Sequence, residues 1–237
     1  MLLSAISNIA NDIHSILLPR GCFGCTANLG KGERSLCTVC RDQLPFTEYN
    51  FIDENPIDRI FYGKIPVKKA SSLFFYHENG RIQRIIHHWK YNKQEQIGSF
   101  LAALYTPILE ADPGFEKPDL IVSVPLHKNK IRKRGYNQLD LVGKSFSENF
   151  HCRYENKVLV KTQNTRTQTR KNRWWRWKGV QDLYQLNGSD SVRDKRILLI
   201  DDVITTGATL EACAQTLFAG GAKEVSIATI AVVPSFG

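Results

Sequence analysis

Two adjacent carboxylates, Asp201 and Asp202, follow four apolar residues and precede a segment rich in hydroxyl groups. The apolar run Ile197-Leu198-Leu199-Ile200 predicts a strand that is buried on both faces. After the acids the chain reads Val203-Ile204-Thr205-Thr206-Gly207-Ala208-Thr209, and a helical pattern then runs from Leu210 to Leu217. A strand, a polar loop and a helix N-terminus in this order are typical of the ligand-binding edge of an open α/β sheet.

The loop and the acid pair suit opposite ends of one ligand. Gly207 permits a tight turn, so that consecutive backbone N–H groups can point at a phosphate, and the helix dipole adds partial positive charge. Asp201 and Asp202 suit sugar hydroxyls, or a divalent metal with oxygen ligands. A phosphate at one end and hydroxyls at the other describe a ribose 5-phosphate. The simpler alternative is a buried strand that ends in a solvated acidic turn.

The segment 197–209 resembles the phosphoribosyl-diphosphate (PRPP) signature of type I phosphoribosyltransferases. The resemblance implies that Asp201 and Asp202 hold the 2- and 3-hydroxyls of the ribose. It also implies that the 5-phosphate is held by Thr205, Thr206, Gly207, Ala208 and Thr209. Mg²⁺ is expected with PRPP, bridging the diphosphate and the ribose hydroxyls while keeping several waters. The reaction implied is transfer of the phosphoribosyl group to an acceptor, with release of pyrophosphate.

Four of the six cysteines lie close together near the start of the chain, as two C-x2-C pairs separated by eleven residues: Cys22, Cys25, Cys37 and Cys40. Each pair can place two thiolates on one side of a tight loop, and two pairs complete a tetrahedral Zn²⁺ site. Four cysteine ligands leave no open position, so the zinc is expected to be structural. Iron, or cysteines that bind no metal, are the alternatives. We interpret the module as a folding or partner module first. Such a knuckle can also grip nucleic acid, although the nearby basic residues are only Lys31, Arg34 and Arg41.

A second motif follows a predicted strand at Asp119–Pro125, which we expect to be the first strand of the sheet. Pro125-Leu126-His127 leads into the basic run Lys128–Arg134 and then into Gly135-Tyr136-Asn137-Gln138. A helix is predicted from there to about Phe150.

The order of strand, proline and R-x-R-G-Tyr-Asn-Gln resembles the ComF family, whose members are associated with natural competence and DNA uptake. The cysteine module in front and the PRPP signature behind complete that layout, so the resemblance covers essentially the whole chain. Together with the resemblance to type I phosphoribosyltransferases, this resemblance implies that Pro125, Leu126 and His127 hold pyrophosphate with the nearby Lys and Arg residues, and it makes Arg134 and Arg176 candidates to stabilise the leaving charge. It also implies proteins of the competence machinery, such as a DNA helicase, as partners.

The net charge of +9 is concentrated in two segments that contain no acid. Residues 128–134 hold five Lys or Arg and residues 161–178 hold seven, so the rest of the chain is slightly negative. Such segments bind polyanions, either pyrophosphate or nucleic acid. The second one contains Trp174, Trp175 and Trp177, which suits a lid that closes over PRPP, a surface that stacks single-stranded DNA, or plain packing. A non-catalytic DNA-binding or adaptor module regulated by PRPP is therefore the alternative function.

The predicted fold class is α/β, a type I phosphoribosyltransferase fold with a central, mostly parallel sheet, flanking helices and a hood. Residues 1–19 form an amphipathic helix, which docks on its own domain or makes a homodimer or partner interface. Residues 20–50 form the zinc module. Residues 51–237 form the phosphoribosyltransferase-like domain, with the hood at about 51–110 and the core at about 111–237. Further strands are predicted at Ala70–Tyr76, Lys157–Lys161 and Glu224–Val233, and helices at Arg81–Trp89 and Gln94–Glu110.

No apolar run approaches the roughly 20 residues that span a bilayer. The first 18 residues lack a basic n-region and are interrupted by Asp12 and His14, which argues against a signal peptide. We therefore expect a cytoplasmic protein.

Overall fold

The computed structural model describes residues 21–91, 94–162, 183–188 and 190–234, and within them a five-stranded parallel sheet forms the centre. The strand order is β1-β7-β6-β2-β3, and every neighbouring pair is parallel. The bounds are β1 Ala70–Phe75, β2 Leu120–Ser123, β3 Arg153–Glu155, β6 Arg196–Ile204 and β7 Glu224–Val232. Two short strands, β4 Leu159–Lys161 and β5 Tyr184–Leu186, form a separate antiparallel ribbon.

The helices connect these strands, as parallel pairing requires crossover connections. Their bounds are α1 Thr38–Asp42, α2 Pro56–Phe61, α3 Arg81–Tyr91, α4 Gln96–Ala111, α5 Lys128–Arg134, α6 Leu139–Phe150 and α7 Ala208–Ala219. Within the described ranges, no helix has the length and apolar character that a membrane crossing needs.

The sheet separates two buried clusters because successive side chains of a strand point to opposite faces. On one face, Leu198 and Ile200 of β6 pack in a cluster with α3, α4, α6 and the cysteine segment. On the other face, Ile197 and Leu199 pack in a cluster with α2, α7 and the β4–β5 ribbon. The predicted strand at the start of the acidic motif is thus buried on both faces.

The observed sheet confirms the predicted fold class, with two differences in the strands. The strand at β2 is not the first of the sheet, because β1 pairs in parallel with β7 and adds an edge strand from within the segment 51–110. Two serines, Ser71 and Ser72, lie within this strand. Both are buried, and the Ser71 hydroxyl donates to the carbonyl of Tyr49. The strand predicted at 157–161 exists as β4, but it belongs to the ribbon.

The basic run and the acid pair also differ locally from expectation. The run at 128–134 is a helix, α5, which is capped by His127 and ended by Gly135 at φ 86°. Strand β6 does not end before the acids. Its pairing with β7 continues through Asp201 to Ile204, so the loop begins at Thr205.

Two predicted features lie outside the described residues. These are the amphipathic helix at 1–19 and all but the first two residues of the basic, tryptophan-rich segment 161–178, including Arg176.

Candidate active site

Asp202 receives two donors from two different helices. Its Oδ2 lies 2.8 Å from Lys90 Nζ at the end of α3. The same oxygen accepts a hydrogen bond of 2.5 Å from Gln138 Nε2, which stands at the start of α6. Both helices pack on the same face of the sheet, the face of Leu198 and Ile200. Asp202 therefore points to that face, as its position in the strand dictates.

Asp201 points the other way, and its surroundings favour the protonated form. Its Oδ1 accepts the backbone N–H of Asp202 at 2.8 Å. Burial, followed by the neighbouring charge of Asp202, raises the pKa of Asp201 well above that of an ordinary carboxyl, against the opposing charges of Lys90 and Lys130. A neighbouring cation would shift the Asp201 carboxyl toward its ionised form, so this group is suited to bind one.

The segment 205–209 turns sharply before α7. Gly207 adopts φ +74°, and a Cβ atom there would lie 2.5 Å from Ile60 Cγ2 of α2, so both the conformation and the space demand glycine. Thr205, Thr206 and Thr209 are exposed around this turn. Helix α7 has no side-chain cap at Gly207, and its first N–H groups have no intrahelical acceptors. The turn therefore presents hydroxyls and N–H groups that suit a phosphate.

The segment Pro125–His127 lies beside the acid pair. It follows β2, which pairs with β6, and the N–H of Val124 donates to the carbonyl of Ile200 at 3.0 Å. His127 Nδ1 accepts the N–H of Asn129 at 3.2 Å and caps the basic helix α5. The carboxyl ends of two adjacent parallel strands thus bring the two sequence motifs to one edge, where open α/β sheets bind ligands.

Arg134 connects the basic motif to the acids indirectly. It donates to Gln138 Oε1 at 2.7 Å and lies over the ring of Tyr91 at 5.4 Å from the centroid. The sequence motif contained Gln138, but sequence reasoning gave it no site role, and it missed Lys90. Gln138 could have been found from its place in the R-x-R-G-Tyr-Asn-Gln motif. For Lys90 the sequence gave no signal except its position directly after a predicted helix.

Lys161 is a further cation on the Asp201 side. It lies 5.4 Å over the ring of Tyr184 in the ribbon. Burial, and next the charge of Lys130, lower its pKa, while Asp201 acts in the opposite direction. Among the described residues, Asp201 thus has two lysines near it: Lys130 from the second motif and Lys161 from the ribbon.

A cavity of about 500 Å³ opens beside the Lys90–Asp202 pair. Its walls come from α3 and from the carboxyl ends of β6 and β7, and they include Tyr76, His87, Lys90, Tyr91, Val203 and Thr205. The rings of His87 and Tyr91 lie 4.8 Å apart. The cavity therefore combines aromatic side chains with polar groups, namely Lys90 beside the acid pair and Thr205 of the segment 205–209.

The four cysteines of the predicted module converge, with all four Sγ atoms within 4.8 Å of one another. The Cys25 and Cys37 sulfurs are 3.7 Å apart, close to the edge of about 3.8 Å that tetrahedral Zn–S bonds of about 2.3 Å imply. Backbone N–H groups of Gly24 and Cys37 each donate to Cys22 Sγ at 3.3 Å, which stabilises a thiolate. This cluster could hold a metal ion such as zinc.

The cysteine module is packed against α3. Cys22 and Cys40 belong to the same buried cluster as Ile82 and Ile85 of that helix. Arg81, the first residue of α3, donates to the Gln43 side chain just after the module's short helix. One helix therefore joins the cysteine cluster to the residue that contacts Asp202.

Comparison with known proteins relates the chain to two groups. The family model of the phosphoribosyl transferase domain matches residues 151–235. The DNA utilization protein YhgH of Escherichia coli O6:H1 is 27% identical over 227 residues, which cover 90% of this chain and 96% of that protein. Competence protein F of Haemophilus influenzae is 25% identical over 87% of this chain and 94% of its own length.

Competence protein ComFC of Bacillus subtilis is 23% identical over 90% of this chain and 84% of that protein. Among solved structures, a glutamine PRPP amidotransferase from B. subtilis aligns at a TM-score of 0.40 and 19% identity, over 60% of this chain and 30% of that one. The fold assignment rests on the observed parallel sheet and the family model rather than on that alignment.

Proposed function

We propose that this chain, whose relatives are named DNA utilization and competence proteins and whose residues 151–235 match the phosphoribosyl transferase domain model, binds PRPP with Mg²⁺ and transfers the phosphoribosyl group to an acceptor. The observation that carries the proposal is the convergence of Asp201, Asp202, the 205–209 turn and the Pro125–His127 segment at one edge of the sheet.

The ribose 5-phosphate end of PRPP fits the β6–α7 corner. The exposed hydroxyls of Thr205, Thr206 and Thr209, with the N–H groups at the start of α7, bind the 5-phosphate. Asp201 and Asp202 accept hydrogen bonds from the 2- and 3-hydroxyls. Ala208 is the first residue of α7, where its backbone reaches the phosphate and its small side chain leaves room.

The diphosphate end fits the β2–α5 corner. Pro125, Leu126 and His127 supply the backbone there, and Lys130 and Arg134 supply positive charge close by. Mg²⁺ would be held by Asp201 and Asp202 together with oxygens of the ligand, and it would neutralise charge on the diphosphate. Arg176, which lies outside the described residues, is proposed for the same role from sequence alone.

The chain's residues act mainly by positioning and by charge stabilisation. The bond from the anomeric carbon to the diphosphate breaks with its electron pair leaving on pyrophosphate, and the acceptor's lone pair forms the new bond. Asp202 fixes the ribose while positive charge develops on the ring. The cations of α5 stabilise the negative charge that appears on the leaving group.

The cavity beside the acid pair is the proposed entry for the acceptor. It adjoins Asp202 through Lys90 and the phosphate loop through Thr205. Zinc, held by the four cysteine thiolates, is proposed as a structural ion that fixes the module against α3.

Calorimetry with PRPP and Mg²⁺ tests the proposal. The wild type is expected to bind, and the double variant Asp201→Asn/Asp202→Asn is expected to lose binding, since the amides cannot supply the two negative charges. Glu148→Gln, an exposed acid on α6, is the matched control and should bind as the wild type does. Absence of binding in the wild type would remove the enzymatic proposal.

Single-stranded DNA binding is a second candidate function, favoured by the exposed face of α5. Lys130 and Arg132 are exposed there, and the Ile131 side chain between them is 40% exposed. Binding of an oligonucleotide should fall steeply with salt and weaken in Lys130→Ala/Arg132→Ala. Loss of oligonucleotide binding in Trp174→Ala and Trp175→Ala would show that these tryptophans also stack on the bases. Unchanged binding in both variants would exclude such stacking. Binding without any pyrophosphate release from PRPP would favour this role over transfer.

A further inference from the structure

We propose that Lys90 is a positioning residue for the ribose-binding acid, holding Asp202 by one oxygen so that the other stays open to a ribose hydroxyl. The inference rests on the proposed function, and it assigns a role to a residue of the hood helix α3. No sequence motif singled this residue out.

The contacts on Asp202 are uneven between its two oxygens. Lys90 Nζ and Gln138 Nε2 both approach Oδ2, at 2.8 Å and 2.5 Å. Within the described part of the chain, Oδ1 of Asp202 has no hydrogen-bond or ion-pair partner. A carboxylate oxygen can accept two hydrogen bonds, and a ribose hydroxyl needs an acceptor whose direction is already fixed. The two donors therefore orient the group without occupying the oxygen that the ligand would use.

The ion pair of Lys90 and Asp202 is largely shielded from solvent, so the charge of Lys90 affects the state of Asp202. Its side chain is 19% exposed and that of Asp202 is 14% exposed. A pair at the surface would contribute little, whereas removal of one partner of a shielded pair leaves the other charge uncompensated. Asp202 without Lys90 would keep only the neutral amide of Gln138, and its carboxylate would be free to rotate.

The position of Lys90 is itself fixed by the fold. Trp89, the preceding residue, is fully buried, and its carbonyl accepts a hydrogen bond from the Tyr136 hydroxyl of the second motif. The end of α3 is thereby tied to the segment that also supplies Gln138. A lysine at this position consequently reaches Asp202 from a backbone that does not move freely.

Two other interpretations of the pair make different predictions. If Lys90 only clips the hood to the core, its loss weakens every ligand and lowers stability. If it contacts the diphosphate directly, its loss weakens pyrophosphate as much as PRPP. Only a residue that orients Asp202 weakens the ligands that carry ribose hydroxyls and leaves pyrophosphate unaffected.

The experiment uses the full chain as Lys90→Met, Lys90→Gln and Lys90→Arg. Affinities for PRPP with Mg²⁺, ribose 5-phosphate and pyrophosphate with Mg²⁺ are measured by calorimetry and competition, alongside the thermal midpoint. We expect Met and Gln to weaken PRPP and ribose 5-phosphate about tenfold or more, with pyrophosphate unchanged. Lys90→Arg, which keeps the charge, should restore most of the affinity. Lys117→Met, on an exposed lysine paired at 3.5 Å with Glu110, is the control.

Each remaining outcome overturns the inference. Equal weakening of all three ligands assigns Lys90 a structural role, and selective weakening of pyrophosphate assigns it to the diphosphate. Unchanged affinities show that the pair has no role in binding. If Lys90→Met does not fold, the Gln and Arg variants decide the question. Failure of the wild type to bind PRPP is a distinct result, since it removes the proposed function before any variant is compared.

Discussion

Gln138 donates a hydrogen bond to Asp202 across 64 residues of sequence, and this contact joins the R-x-R-G-Tyr-Asn-Gln motif to the acid pair. Gln138 is buried, and its other side-chain atom, Oε1, accepts from Arg134. The motif that resembles ComF proteins therefore reaches Asp202, the acid that we propose to bind ribose, through one amide. An amide suits this position because it donates to a carboxylate and accepts from a guanidinium at the same time.

Gln138→Glu should distinguish the two contacts of that amide, the one with Arg134 and the one with Asp202. The new carboxylate can still accept from Arg134, but it places a second negative charge against Asp202, where like charges repel. We expect the PRPP affinity to fall about tenfold or more, measured by calorimetry. Gln185→Glu, on an exposed glutamine of β5, is the control. Unchanged affinity in Gln138→Glu would show that the amide does not organise the site.

Gly207→Ala tests the turn that we assign to the 5-phosphate. The new Cβ would meet Ile60 at 2.5 Å and the residue would keep a positive φ. We expect the free energy of unfolding to fall by about 2–4 kcal/mol, combining backbone strain and overpacking, together with weaker binding of ribose 5-phosphate.

Gly188→Ala is the matched control for this substitution. Gly188 has φ +90° with open space around its Cα, so it reports the backbone strain without the clash. Denaturant unfolding of both variants gives the difference. If the free energy of unfolding falls equally in both variants, α2 moves away from the new Cβ without a measurable cost, and the packing around Gly207 is not tight.

The pH dependence of stability should reveal Asp201. Burial and the charge of Asp202 raise its pKa in the folded state. The folded protein then binds the Asp201 proton more tightly than the unfolded chain does, so this group makes stability fall as pH rises from the ordinary carboxyl range through the raised pKa. Lys90 and Lys130 oppose the shift, and Lys161 and Cys213 also face this carboxyl.

Asp201→Asn should remove that fall, since the amide keeps an oxygen to accept the N–H of Asp202 but does not ionise. Above neutral pH the variant should be more stable than the wild type by about 1 kcal/mol or more, while it loses PRPP binding. Denaturant unfolding at several pH values measures this. Parallel profiles of the two proteins would contradict the raised pKa.

Val203→Phe tests the cavity as the acceptor's entry. Val203 is a partly buried wall residue of the cavity, and a phenyl ring there fills part of its volume. We expect PRPP binding to persist while pyrophosphate release with a panel of nucleobases and amines falls. Val160→Phe, on an exposed valine of the ribbon, is the control. Loss of PRPP binding together with release would place the cavity within the PRPP site instead.

The sequence predicted the parts of the molecule that local pattern determines. The strand at 197–200, the cysteine spacing and the helix after Gly207 follow from residue types within a few positions of one another. The contact of Lys90 with Asp202 could not be predicted, because it joins residues 112 apart through the packing of α3 on the sheet. Strand β1 was recognised as a strand, but its place beside β7 depends on that same long-range packing.

Polar residues inside buried elements have hydrogen-bond partners that the sequence did not identify. Ser71 looks unsuited to a core strand, yet it both donates to the Tyr49 carbonyl and accepts from the buried Tyr105 hydroxyl at 3.0 Å. The basic run 128–134 was given no secondary structure from the sequence, and it forms a helix between His127 and Gly135. A high content of charged residues indicates that a segment is exposed to solvent. The capping residues at its two ends decide whether it is helical.

The cysteine cluster should contribute stability to helix α3 as well as to itself. Cys40→Ser removes a buried ligand of the proposed zinc site, next to Ile82 and Ile85 of α3. We expect loss of about one zinc per chain and a lower thermal midpoint. Because α3 also carries Lys90, weaker PRPP binding should accompany the loss of metal. Cys152→Ser, outside the cluster, is the control and should retain metal, and full zinc retention in Cys40→Ser would contradict the four-cysteine site.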